Sequence, residues 1–111
     1  MNPETLRQLI VNCRRKNMRM LGFPREWTPE RVRHLEIEGH FFTNEGAWEF
    51  VADKLADGHV FEEMKLDNPP GALAIVMNIK VSNSDTSIYV KIQLGKGNLA
   101  IGRSFHYSNY R

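Results

Sequence analysis

The spacing of apolar residues changes at Gly58: before it they recur every three to four positions, and after it every second position. In the first part, Asn2 followed by Pro3 predicts a capped helix start. Leu6, Leu9, Ile10 and Cys13 form one stripe of that helix ahead of the basic run Arg14, Arg15, Lys16 and Arg19. Gly22 to Trp27 reads as a loop. Thr28 and Pro29 repeat the cap-then-proline signal and predict a short helix carrying Val32, Leu35 and Ile37, ended by Gly39. Thr43 then caps a third helix in which Trp48, Val51, Ala52 and Leu55 share a face, with Gly58 as the left-handed residue beyond its end.

After Gly58 a weak strand is predicted at Val60 to Leu66, and Pro69, Pro70 and Gly71 separate it from a strong one. In the strong strand Leu73, Ile75, Met77, Ile79 and Val81 point one way, and Ala74, Val76, Asn78 and Lys80 the other. The next strand places Ile88, Val90, Ile92 and Leu94 inward and Tyr89, Lys91 and Gln93 outward. The last alternates Leu99, Ile101 and Phe105 against Ala100, Ser104 and His106. Helices first and strands afterwards imply an α+β fold. Residues 1–58 form its helical part, packed on a C-terminal antiparallel meander of three to four strands in residues 59–111.

Register follows from the turns. Closing Leu94 to Leu99 through Gly95-Lys96-Gly97-Asn98 pairs Tyr89 with Ser104 and Ser87 with His106. Closing Val81 to Ile88 through the segment Ser82 to Ser87 pairs Lys80 with Tyr89 and Asn78 with Lys91. Lys80, Tyr89 and Ser104 then form a row with His106 diagonal to it. Strict alternation turns Arg103 toward the core beside Val90, unless a bulge at Gly102 or a reach past the sheet edge relieves it.

Composition narrows the setting. The 111 residues suit one domain, no apolar run approaches a membrane span, and Met1 to Arg19 is charged throughout, which predicts a cytoplasmic protein with no membrane partner. The single cysteine, Cys13, excludes an internal disulfide and reads as a core residue. His34, His40 and His59 read as surface or helix-end residues, and Trp27, Phe41, Phe42 and Trp48 as core. Trp27 can alternatively stack on a base from its loop. The net charge of +2 is uneven: residues 1–33 carry eight Lys/Arg against three Asp/Glu, residues 34–67 two against nine, and residues 68–111 five against one. Basic ends would attract polyanions, with the acidic middle placed elsewhere or facing a basic partner.

The polar sheet face holds the groups that RNA strand scission by the 2′-hydroxyl needs: a base, an acid and cations on the phosphate. No metal or cofactor is required for it. His106 is the best acid or base, because histidine titrates near neutrality. Tyr89 is the second candidate, with Lys80, Lys91 and Arg103 on phosphate. Antiparallel sheets also leave a wet polar face for no catalytic reason. The same residues therefore support a non-catalytic nucleic-acid-binding module, and the acidic residues Glu62, Glu63 and Asp67 an interaction protein.

Ile88-Tyr89-Val90-Lys91-Ile92 followed by Arg103-Ser104-Phe105-His106 resembles the final strands of RelE-like bacterial toxins. The nearest likeness is to the motility quorum-sensing regulator toxin family, mRNA interferases whose last strands read Tyr-Leu-Lys-Ile and then Ser-Phe-Lys. The resemblance covers roughly the last 50 residues. It implies a single barnase/RelE-type domain over residues 1–111 that cuts mRNA without a cofactor. Its partners would be RNA and a cognate antitoxin, with the ribosome a further candidate. Tyr89 and His106 would be catalytic together with Lys91 and Lys80. Arg103, Ser104, Asn78, Gln93 and Lys65 would contact RNA, Lys65 standing loosely for another basic residue of the family. Histidine at 106 replaces the family's lysine.

Overall fold

The computed structural model describes residues 1–82 and 85–109. Two helices, α1 (Pro3–Cys13) and α2 (Asn44–Ala56), pack on five strands: β1 (Arg19–Trp27), β2 (Glu62–Lys65), β3 (Leu73–Lys80), β4 (Thr86–Leu94) and β5 (Ala100–Asn109). The fold is α+β, and β2 to β5 form the antiparallel meander that the alternation predicts. A fifth strand makes the sheet mixed: the order is β1-β5-β4-β3-β2, with β1 parallel to β5. Among the described residues no helix is long and apolar enough to cross a membrane.

Both helix starts follow their caps. The Asn2 side chain accepts from the Glu4 amide ahead of α1, and the Thr43 hydroxyl accepts from the Gly46 amide ahead of α2. Gly58 follows α2 in the left-handed region, with φ at +83°. Leu9 and Cys13 are buried beneath α1, and Trp48, Val51, Ala52 and Leu55 beneath α2. They meet Ile75, Met77, Ile79, Ile88, Val90, Ile92 and Phe105 of the sheet in one core cluster. Each large side chain buried this way contributes about 1.5–3 kcal/mol over an exposed one.

Two predicted elements differ. The helix expected through Val32, Leu35 and Ile37 shrinks to one 3₁₀ turn, Pro29–Arg31. Tertiary partners take the backbone groups a longer helix would use: the Val32 carbonyl accepts from the Phe42 amide, and the Arg33 amide donates to the Tyr107 hydroxyl. Val32 is consequently buried while Leu35 and Ile37 are exposed. The segment read as a loop before Trp27 is instead strand β1, whose alternation is broken between Leu21 and Glu26 where the pairing register jumps. Trp27 is thereby buried against Trp48, ring centroids 4.5 Å apart, and cannot stack on a base. Phe41 is half exposed under the Arg33 guanidinium rather than part of the core.

The sheet register keeps the predicted faces of β3 and β4 but slides the partners. On β3 and β4, Asn78 opposes Tyr89 and Lys80 opposes Ser87, two residues from expectation, because the chain turns back tightly with the Val81 amide donating to the Thr86 carbonyl. Asn83 and Ser84 of this turn lie outside the described residues. At the other hairpin Leu94 opposes Ala100, one residue beyond the predicted closure, which reverses the faces of the first part of β5. Ala100 is accordingly buried and Ile101 lies opposite Gln93 on the polar face. Lys91 pairs with Ser104 but Ile92 with Gly102, so Arg103 is the extra residue of a bulge and the faces revert beyond it.

Candidate active site on the open sheet face

The face opposite the helices carries polar side chains in rows across the strands. One row runs Asn78, Tyr89 and His106; the next runs Val76, Lys91, Ser104 and Glu26; a third runs Lys80, Ser87 and Ser108. The slide in register replaces the expected Lys80–Tyr89–Ser104 row and sets His106 directly opposite Tyr89. Their rings stack with centroids 5.5 Å apart and planes 28° from parallel. His106 Nδ1 lies 2.9 Å from the Tyr107 carbonyl oxygen. A carbonyl only accepts, so Nδ1 carries the proton and Nε2 is left to gain or give one.

The bulge turns Arg103 outward, correcting the direction that strict alternation gave it. Its guanidinium donates to Gln93 Oε1 at 3.0 Å, and its stem crosses Gly22, where an added Cβ would lie 2.8 Å from Arg103 Cδ. Gly102 faces the core in the same bulge, and a Cβ there would fall 2.9–3.0 Å from ring atoms of Trp27 and Trp48. Glycine at 102 thus lets β5 cross the two indoles and present Arg103 on the open side.

Glu26 joins the site without any signal in the periodicity. It sits in the stretch read as a loop, and only the parallel pairing of β1 with β5 sets it beside Ser104, whose hydroxyl donates to Glu26 Oε1 at 3.1 Å. Ser104 is buried in the process and serves to hold that carboxylate, not to meet a ligand. Gln93 is likewise nearly buried and acts through Arg103. Lys65 pairs with Leu73 on the helix side of the sheet and does not join Lys91 and His106. Lys80 stays on the open face one row beyond Tyr89. On the helix side burial pushes the Cys13 thiol up to about 12, and the hydrogen bond from Arg19 lowers the Glu45 carboxyl. No protein-family model, curated protein or solved structure matches this chain.

Proposed function

We propose that the chain is a metal-independent endoribonuclease, an mRNA interferase of the toxin type, acting through the open face of its sheet. The observation that carries this reading is the gathering of His106, Glu26 and Lys91 on one face, with Glu26 opposite Ser104 on the neighbouring strand and His106 two residues further along β5, a backbone diagonal of about 8 Å at strand spacing. Carboxylates are ionised and accept protons at neutral pH, whereas phenols ordinarily are not. Glu26 therefore takes the 2′-hydroxyl proton, the 2′-oxygen attacks phosphorus, and Nε2–H of His106 protonates the leaving 5′-oxygen. The P–O2′ bond forms as P–O5′ breaks, leaving a 2′,3′-cyclic phosphate and a 5′-hydroxyl. Lys91 and Arg103 hold the phosphate charge, and Tyr89 keeps the imidazole in place by stacking.

The test is RNA cleavage in EDTA by purified protein, with His106→Ala and Glu26→Gln each lowering the rate about 10²-fold. Wild-type rates in both folded variants would overturn the assignment. Salt-dependent RNA binding without cleavage by the wild-type protein would indicate a nucleic-acid-binding module instead.

A further inference from the structure

A cavity of about 190 Å³ opens beside these residues, lined by Val60, Phe61, Glu62, Val76 and Asn78. Asn78 belongs to the row of Tyr89 and His106, and Val76 to the row of Lys91, so the cavity continues the open face toward β2. Val76 pairs with Glu62 on one side and Lys91 on the other, keeping the two charges apart. Among the described residues the Glu62 carboxylate makes no hydrogen bond or ion pair. Val60 is 80% exposed at the mouth, an apolar surface that a bound ring would cover.

We propose that this cavity is a nucleobase subsite that selects guanine in single-stranded RNA, a proposal that rests on the ribonuclease reading above. The cavity is smaller than the roughly 300 Å³ at which sites for drug-sized ligands begin, and suits one flat ring system between valine side chains. Single-stranded bases are read on their Watson–Crick edges. On that edge guanine alone presents two adjacent N–H donors, N1–H and the exocyclic amine, which match the two oxygens of a carboxylate. Uracil offers one N–H between two carbonyls, and adenine and cytosine set an amine beside an acceptor nitrogen that a carboxylate repels. Asn78 and Tyr89 lie on adjacent strands, about 4.8 Å apart. A base in the cavity therefore sets its ribose near Tyr89 and an adjoining phosphate toward Lys91 and His106, so cleavage falls next to guanine.

The experiment uses 2′-O-methyl pentamers that differ only at the central base, G, A, C or U in a uridine context, with binding followed by fluorescence anisotropy. The guanine pentamer is expected to bind at least about tenfold tighter than the others. Glu62→Gln should abolish the preference, as should Val76→Phe, which fills the cavity. Equal binding of all four pentamers, no binding of any, or a preference that survives Glu62→Gln overturns the subsite. The corresponding all-ribose pentamers separate the two readings. Cleavage without base preference overturns the subsite and leaves the ribonuclease standing, whereas guanine-selective binding without cleavage overturns the ribonuclease and leaves the subsite.

Discussion

On the helix side of the sheet Arg14 is held between Glu49 and Asp53, Arg19 pairs with Glu45, and the Met1 amino group meets Glu63. On the open side, among the described residues, Lys80 and Lys91 form no ion pair, and Arg103 bonds the neutral amide of Gln93. The contrast explains the uneven charge along the chain. Two basic residues of the N-terminal segment, Arg14 and Arg19, and the Met1 amino group pair with Glu45, Glu49, Asp53 and Glu63 of the acidic middle, so part of the acidic stretch has basic partners within the same molecule. Among the described residues the lysines of the C-terminal sheet, Lys80 and Lys91, have no such partner, on the face that carries His106. Unpaired cations beside a histidine and a carboxylate suit a polyanionic substrate, whereas the helix-side pairs tie the end of α1 and strand β1 to α2, and the first residue to β2.

Four measurements bear on that contrast. Gly102→Ala has the largest expected effect, because its methyl group presses on two indoles that cannot both withdraw. A loss of about 1–3 kcal/mol is expected in urea unfolding, with activity falling as the bulge that presents Arg103 distorts. Lys91→Ala should weaken RNA binding about tenfold and reduce the magnitude of the log K against log salt slope by about 0.7, one phosphate contact fewer, with stability little changed. Arg14→Ala should do the reverse, costing about 1 kcal/mol or less of stability and leaving RNA binding and cleavage unaltered, since its pairs are surface-exposed. A Lys91→Ala variant that lost stability but bound RNA normally would erase the distinction between the faces.

The last effect, confined to alkaline pH, is a pH slope. Burial raises the folded Cys13 thiol to about 12, with Arg19 and Arg14 opposing the shift, while an unfolded thiol titrates near about 8.5. The folded state holds its proton more tightly, so this contribution is fully present below about pH 8.5 and is lost as pH rises toward 12. Unfolding free energies measured from pH 8 to 10.5 should decline in the wild type, and the decline should flatten in Cys13→Ala.

Much of this was legible in the chain. Caps at Asn2 and Thr43, the glycine after α2, and the alternation of β3 and β4 are local signals, and they found both helices and the faces of those strands. Register was less accessible, since it depends on how many residues each turn absorbs. One extra residue at the Gly95 hairpin reversed the start of β5, and the bulge at Arg103 restored it. β1 was missed because its broken pairing with β5 hides the period, and Glu26 was missed with it. That carboxylate enters the site only through a contact 78 residues away in sequence.

The proposed ribonuclease acts through the substrate's own 2′-hydroxyl. A DNA oligonucleotide containing a single ribose 3′ flanked by deoxyribose, incubated with the protein in EDTA, tests it most directly. Scission is expected only at the ribose, with a 2′,3′-cyclic phosphate on the 5′ fragment. Scission at deoxyribose positions, or none in this substrate and in all-ribose RNA alike, would contradict it.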